Sequence, residues 1–223
     1  MSNGHDVPAE AVRRFETCGR AWIGALRHVW SAGEAGLADH GPTIEGPPLL
    51  FEIASLSWED PIVREYGDRS RLVRRAEERT GHGARPGAPP EGASGGTRPD
   101  AEQIRWVVDL LRARPWTTSA WISLTVPAEP PGAVPSGAAP APAALAFRIR
   151  GYRLMMTAMF RAQNVHRAYL AYIPLHETQA AVAESLGLPH GPLRVFVDVP
   201  HLRVADADRV ATILASQPEP NAA

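Results

Sequence analysis

The chain has 223 residues, and its 23 basic residues, all of them arginine, are balanced by 24 acidic ones. The net charge of −1 excludes the strongly positive field with which proteins bind nucleic acid and the basic patch that binds an anionic membrane surface. The single cysteine, Cys18, excludes a disulfide framework and a cysteine-rich zinc site. With no apolar run of about 18 residues and no signal-peptide pattern, the sequence predicts a cytoplasmic protein with no nucleic-acid or membrane partner.

Hydrophobic residues make up 44% of the chain, which is enough for one core, so we expect a single domain over residues 1–223. Two segments rich in glycine and proline, 79–100 and 127–143, are predicted to be flexible insertions. Residues 216–223 are predicted to form a frayed tail.

The first half of the chain is predicted to hold two helices and two strands. Apolar residues at helical spacing predict helices over 12–30 and 102–112. Residues 49–56 are predicted to form a short strand. Residues 121–126 are rich in β-branched and aromatic side chains, which favour a second strand.

A β-hairpin is predicted where residues 144–150 and 152–161 flank Gly151. Its second arm is apolar on both faces, a pattern typical of a central strand that is covered on both sides.

The remaining segment predicts a helix, a strand and a last helix. The first helix spans 169–186 and ends at Gly187, with a kink or a break at Pro174. Residues 193–199 form the strand, and Asp206 caps the last helix. Strands and helices interleave along the chain, so the sequence predicts an α/β or α+β fold.

The order of these elements, together with several short motifs, resembles the thymidylate synthase family. The hairpin run FRIRGYRLMMTAMFRAQN (147–164) matches the family hairpin, which leads through a Phe-Arg-Ser-type segment into the central helix. The run AVAESLGLPHGPLRVFVDVPHL (181–202) matches a helix ending in Leu-Gly and a strand that closes on a His-Ile-Tyr motif. Upstream, GPTIEGPPLLFEI (41–53) and the helix that begins at Gln103 and runs to Pro115 stand in the expected order.

The resemblance extends over roughly residues 20–215 and implies a mixed sheet wrapped by helices in one α+β domain. It also implies a dimer in which two sheets pack face to face. Members of the family methylate or hydroxymethylate C5 of a pyrimidine nucleotide with a tetrahydrofolate derivative as the one-carbon donor.

The residue that starts the chemistry of this family is missing here. The resemblance implies a nucleophilic cysteine a few residues before the hairpin, at a position equivalent to about Ala141. Cys18 instead lies on the first predicted helix, where a small buried side chain is expected. The covalent mechanism, in which a thiolate adds to C6 of the pyrimidine, is therefore excluded.

The phosphate-binding residues of the family are also changed. Thr118 and Ser119 stand where the family has an arginine pair that reaches the phosphate across the dimer interface. Hydroxyls can bind phosphate, but they do not replace two bidentate guanidinium groups. Arg161 matches a second phosphate arginine, and the alternative for it is a surface ion pair at the end of the strand.

Two further positions carry over from the family only in part. Tyr172 replaces the asparagine that reads the pyrimidine, and it either orients a planar ligand or is a core tyrosine. His201 is the one residue left of the His-Ile-Tyr motif and can bind a ligand or transfer a proton. Strand alternation places Asp198 on the face opposite His201, so the two can pair only if Pro200 bends the strand.

Further polar residues follow Arg161 directly. They are Gln163, Asn164, His166 and Arg167. Gln163 and Asn164 are candidates for substrate binding, and the alternative is ordinary helix-start chemistry. Glu45 and Glu52 are candidates for the acidic residue that organises proton transfer in the family. No metal or dinucleotide motif is present, so we predict no metal site.

The sequence thus supports two hypotheses from different classes. The first is a divergent thymidylate-synthase-like enzyme that acts as a homodimer on a non-standard small-molecule substrate. Its composition, typical of a GC-rich genome, and its divergence predict a role in secondary-metabolite biosynthesis, such as antibiotic formation. The second is a non-catalytic ligand-binding or scaffolding subunit that forms a heterodimer with an active paralogue.

The first hypothesis assigns a role to each candidate residue. The catalytic candidates are His201, Tyr172 and Arg161. The substrate-binding candidates are Gln163, Asn164, Thr118, Ser119 and Asp198. A tetrahydrofolate derivative is allowed by the resemblance, with no cofactor-binding residue identified.

Overall fold

The computed structural model describes residues 12–38, 41–68, 99–124 and 142–217. The predicted insertions at 79–100 and 127–143 and the predicted tail at 216–223 lie mainly outside these ranges, and Ala141 lies wholly outside them.

Eight strands of the described chain form one mixed sheet. They are β1 (Arg13–Thr17), β2 (Glu34–Ala38), β3 (Gly41–Glu45), β4 (Leu49–Ser55), β5 (Trp121–Ser123), β6 (Ala144–Arg150), β7 (Arg153–Asn164) and β8 (His190–Arg203). Their order is β1-β4-β8-β7-β6-β5, with β3 also paired to β8 and β2 paired to β3. The pairs β1–β4 and β7–β8 are parallel, and the others are antiparallel.

Five α-helices accompany the sheet in the described ranges. They are α1 (Cys18–Ala32), α2 (Pro61–Tyr66), α3 (Ala101–Ala113), α4 (Tyr169–Ser185) and α5 (Ala207–Ser216). The predicted α+β fold with a mixed sheet and helices is therefore confirmed. None of these helices has the length and apolar character that a membrane crossing requires.

The first predicted helix, 12–30, is wrong at its beginning. Residues Arg13–Thr17 form a strand that pairs in parallel with β4, and α1 begins only at Cys18. Thr17 ends the strand and caps the helix, because its Oγ1 accepts a hydrogen bond from the backbone N–H of Arg20 at 3.3 Å. A long-range strand pairing has here overridden the local helical spacing of the apolar side chains.

The crossover helix α4 is continuous through Pro174, so of the two predicted alternatives, a kink or a break, the break is absent. Its end is as predicted, because Gly187 adopts the left-handed conformation, with φ of 67°. The N–H of Leu188 donates to the carbonyl of Ala183 at 2.9 Å, and the N–H of Gly187 donates to the carbonyl of Glu184 at 3.0 Å. These two bonds satisfy the last carbonyls of the helix and stop it.

The sheet has one face against helices α1 and α4 and a second face, here called the outer face, that is less covered. On β7, Leu154, Met156 and Phe160 point to the helices and are at most 1% exposed. Met155 and Met159 alternate with them and are only half-buried. The strand is central, as predicted, but within one chain only its helix-facing side is fully covered.

Strands β7 and β8 share an irregularity near their carboxyl ends, here called the bend. The alternation of buried residues shifts by one position between Phe160 and Gln163 on β7 and between Val197 and Pro200 on β8. The pairing register stays in step, with Phe160 opposite Val197 and Gln163 opposite Pro200. Beyond the bend, His201 lies on the same side as Asp198, which simple alternation did not allow.

Candidate functional site

The carboxyl ends of β7 and β8 carry a group of polar side chains, here called the strand-end site. Its members are Glu45, Asn164, His166, His201, Arg203 and Asp206. In the register of the sheet, His201 lies between Asn164 of β7 and Glu45 of β3. The carboxyl ends of adjacent parallel strands are where open α/β sheets bind their ligands.

Glu45 is held in place beside His201. Residues directly opposite each other in an antiparallel pair project from the same face, with their Cβ atoms about 5 Å apart. The hydroxyl of Thr43 donates to Oε1 of Glu45 at 3.0 Å. Gly36 leaves room for this carboxylate, because a Cβ at that position would lie 2.5 Å from the carboxyl carbon of Glu45. Of the two acidic candidates, Glu45 is therefore the one beside the histidine.

Glu52, the other acidic candidate, lies elsewhere on the outer face. Its side chain is 6% exposed and is bound on both sides by arginines. The Nε of Arg14 lies 3.1 Å from Oε2, and the Nε of Arg194 donates to Oε1 at 3.1 Å. A carboxylate that is buried and paired with two arginines has a structural role and is not placed to take up a proton from a substrate at the strand-end site.

The structure also pairs His166 with Asp206, a contact that the sequence did not predict. The side chain of Asn164 accepts a hydrogen bond from the N–H of His166 at 3.0 Å and starts a short 3₁₀ turn. This turn places Nδ1 of His166 3.5 Å from Oδ2 of Asp206. Arg203 donates from its Nε to the same oxygen at 3.1 Å.

Asp206 stands at the start of α5, as predicted, but its side chain does not cap that helix. The expectation of a side-chain cap is therefore wrong. The carboxylate instead accepts a charge-assisted hydrogen bond from Arg203 and faces the imidazole of His166.

Burial and charge set the protonation states of this pair. Burial lowers the pKa of His166, which is 8% exposed, and the Asp206 carboxylate opposes this effect only in part. Burial alone would raise the pKa of Asp206, but His166 and Arg203 outweigh it and bring that pKa below its ordinary value. Near neutral pH the site thus holds an uncharged imidazole beside a carboxylate.

Tyr172 and Gln163 are fully buried and bonded to each other. The hydroxyl of Tyr172 donates to Oε1 of Gln163 at 2.7 Å. The ring packs edge-on against Phe51 and Phe160, at centroid distances of 5.8 and 6.2 Å. Burial raises the pKa of Tyr172 well above its ordinary value. Of the two alternatives for Tyr172, this is the geometry of a core tyrosine with a satisfied hydroxyl.

Cys18 is likewise buried, as expected from its place in the sequence. Its side chain is 0% exposed, and burial together with the nearby Asp60 carboxylate raises the pKa of the thiol. A protonated thiol in the core is neither a nucleophile nor accessible to a substrate.

The other predicted residues divide between the two ends of the sheet. Arg161 and Asp198 are exposed near the strand-end site. Thr118 and Ser119 are exposed in the turn before β5. Strand β5 begins at Trp121, which lies in the same row across the sheet as Thr157. Since Thr157 precedes Asn164 by seven residues along β7, that row is roughly 23 Å from the site. A single chain therefore does not bring Thr118 and Ser119 to it.

No protein-family model and no curated protein sequence matches this chain. Within the four described ranges, no group of three or more histidine, cysteine, aspartate or glutamate side chains is placed to hold a metal ion. The fold and the strand-end site are thus defined by the geometry of this chain alone, and the thymidylate synthase resemblance stays a prediction.

Replacing Tyr172 by phenylalanine is expected to destabilise the fold by about 1–3 kcal/mol, because it leaves the buried Oε1 of Gln163 without a donor. The double variant Tyr172→Phe with Gln163→Leu removes both polar partners and should recover part of the loss. Urea denaturation of the two single variants and the double variant measures the coupling. Additive effects would contradict a direct bond between the two side chains.

Acidification from about pH 7.5 to 5.5 is expected to destabilise the fold, because burial lowers the pKa of His166 below the ordinary 6.5. As the pH falls through about 6.5, the unfolded chain binds a proton that the folded chain resists. The free energy of unfolding therefore decreases as the pH falls from about 6.5 to the lower pKa that His166 has in the folded protein.

His166→Gln should therefore flatten the pH dependence of the urea midpoint. His176 contributes with the same sign, because burial lowers its pKa too, so the double variant with His176→Gln should show the smallest slope. An unchanged slope in both variants would contradict the assignment.

Proposed function

We propose that the protein is a divergent thymidylate-synthase-like enzyme that binds a small anionic substrate at the strand-end site and acts on it by acid–base chemistry without a cysteine nucleophile. One observation carries the proposal. His201 stands opposite Glu45 on one side and opposite Asn164 on the other, so it lies between a carboxylate and an amide. These positions are at the carboxyl ends of the parallel strands β7 and β8.

In this proposal His201 transfers a proton to or from the substrate. Glu45, oriented by the hydroxyl of Thr43, stands directly opposite His201 in the sheet and supplies a carboxylate next to the imidazole. The side-chain oxygen of Asn164 is used by the N–H of His166, so its amide remains to donate a hydrogen bond to a ligand.

Arg161 supplies the anion-binding group. It is exposed on β7, three residues before Asn164, and forms no ion pair with any other described residue. A free guanidinium offers a bidentate grip on a phosphate or a carboxylate. Tyr172 and Gln163 have a supporting role here, because their mutual hydrogen bond fixes the strand end from inside the core.

A second candidate function is a non-catalytic ligand-binding or scaffolding subunit that partners an active paralogue. The filled core around Tyr172 and the buried, protonated Cys18 favour it, since both replace reactive groups with packing. In either case the composition, typical of a GC-rich genome, and the divergence from the family support a role in secondary metabolism, and the single buried cysteine supports a cytoplasmic location. A tetrahydrofolate derivative has no assigned residue among those described.

Removing the Arg161 side chain is expected to weaken anion binding at least tenfold. Calorimetric titration of Arg161→Ala with deoxyuridylate and deoxycytidylate measures this, with deoxyuridine as a probe that lacks the phosphate. Arg105→Ala is the matched control, because Arg105 is also exposed but lies on α3. Equal affinities of wild type and Arg161→Ala for both nucleotides would refute the assignment.

The same samples test the reaction in heavy water. Without a thiolate to add to C6, no deuterium exchange at C5 of either nucleotide is expected. Exchange that disappears in His201→Ala would show that this site activates C5 without a cysteine and would overturn the expectation that a pocket lacking the thiolate cannot do so.

The proposal includes a homodimer that forms through the outer face. An unbroken row of apolar side chains crosses four strands there, in register, and is here called the apolar row. It consists of Ala144, Met159, Phe196 and Leu50. The adjacent row carries Arg194, Glu52 and Arg14, so an apolar strip lies beside paired charges. A second copy would bury this strip and bring its Thr118 and Ser119 towards the first, as the resemblance implies.

Leu50→Arg is expected to convert the dimer to a monomer, because it places a charge in the apolar row. Leu37→Arg is the control: Leu37 is 81% exposed on β2, whereas Leu50 is 40% exposed on the outer face. Light scattering coupled to size-exclusion chromatography gives the molar mass of each. A monomeric wild type, or a Leu50→Arg variant that stays dimeric, would rule out this interface.

A further inference from the structure

A cleft of about 580 Å³ opens on the outer face at the end of the sheet opposite the strand-end site. Its volume lies within the range of ordinary small-molecule sites. Met155 lines it and precedes Asn164 by nine residues along β7, which separates the two sites by roughly 30 Å. A ligand in this cleft therefore does not touch the strand-end site.

The cleft carries an excess of positive charge. Three arginines, Arg14, Arg153 and Arg194, line it together with a single acidic residue, Glu52. Glu52 is 6% exposed at its side chain and is already bound by Arg14 and Arg194. Two positive charges are thus left over before the neighbouring His190 is counted.

Glu52 also holds two of the guanidinium groups in position. Arg194 uses its Nε and one terminal nitrogen on the carboxylate, and Arg14 uses its Nε. Their remaining N–H groups stay available, since the side chains are 42% and 81% exposed. Arg153 is exposed and forms no ion pair with any residue in the described ranges. Guanidinium groups held in a fixed pose bind an oxyanion with less loss of side-chain entropy.

Apolar side chains line part of the cleft. They are Met155 and Pro192, here called the apolar floor, and they lie beside Gly191. A side chain on Gly191 would collide with the Met155 sulfur, so the glycine lets that thioether lie along the floor. The fully buried Gln179 donates from Nε2 to the carbonyl of Gly191 at 3.1 Å and to that of Leu154 at 2.9 Å.

We propose that this cleft is a second binding site, for an organic anion in which one oxyanion group is joined to a flat apolar body. Arg153 and the open edges of Arg14 and Arg194 bind the oxyanion. Met155 and Pro192 contact the body, because an apolar floor favours a ligand with apolar surface to bury. The site uses none of the residues of the strand-end site or of the apolar row. It shares the outer face with the proposed dimer, so ligand binding there requires that the second copy leave the row of Arg194, Glu52 and Arg14 uncovered.

The probe is 8-anilinonaphthalene-1-sulfonate, a flat aromatic anion whose fluorescence rises on binding, and its neutral counterpart is N-phenyl-1-naphthylamine. Arg153→Ala should weaken binding of the sulfonate at least tenfold and leave binding of the neutral amine within twofold. Arg105→Ala should leave both unchanged. Phenyl phosphate should displace the sulfonate at a lower concentration than inorganic phosphate does, because only the former fills the apolar floor.

Gly191→Ala gives a second variant that does not depend on charge. It pushes the Met155 side chain into the cleft and should weaken binding of both probes. Two results for Arg153→Ala overturn the proposal. They are an unchanged sulfonate affinity, and equal losses of affinity for the charged and the neutral probe.

Two controls separate this proposal from those above. Arg161→Ala should leave sulfonate binding unchanged while it weakens nucleotide binding, so either site can fail without the other. Arg153→Ala should retain the molar mass of the wild type, which shows that a lost affinity is not a change of assembly. Sulfonate binding that is lost in Arg161→Ala would move the probe to the strand-end site and refute the cleft.

Discussion

The parallel ladder between β7 and β8 is the constraint on which the rest of the molecule depends. Parallel strands need a crossover connection, and here that connection is α4. The helix is hydrogen-bonded to both ends of strand β7. Tyr172 bonds Gln163 at the carboxyl end of the strand, and Gln179 bonds the carbonyl of Leu154 at its amino end. Both bonds are buried, so the low polarity of the core strengthens them and makes their loss costly.

The two ends of this ladder have different chemistry because the strands differ there in geometry. At the carboxyl ends, the common bend turns His201 away from the helices and leaves it beside polar neighbours on β3 and β7. At the opposite end, the strands keep their regular alternation, and the outer face presents arginines around Glu52. One pair of strands thus separates the strand-end site from a cationic cleft.

The elements that could be predicted from the sequence are those whose signals are local. The apolar spacing of α3 and the turn glycine of the hairpin act over a few residues, and both elements are present. Strand β1 could not be predicted, because its stability comes from a parallel partner, β4, far along the chain. The pairing of His166 with Asp206 could not be predicted for the same reason, since these residues are 40 positions apart and meet only through the sheet. The burial of Tyr172 is equally non-local, because Phe51 and Phe160 cover it from two different strands.

The single cysteine has a practical consequence. Cys18 is the only thiol in the chain and is completely covered by the packing of α1 on the sheet. A maleimide or disulfide reagent can therefore reach it only when α1 separates from the strands, and the reaction rate reports how often that opening occurs. The rate of Cys18 modification therefore measures local opening of the core, with no engineered label and no second thiol that competes for the reagent.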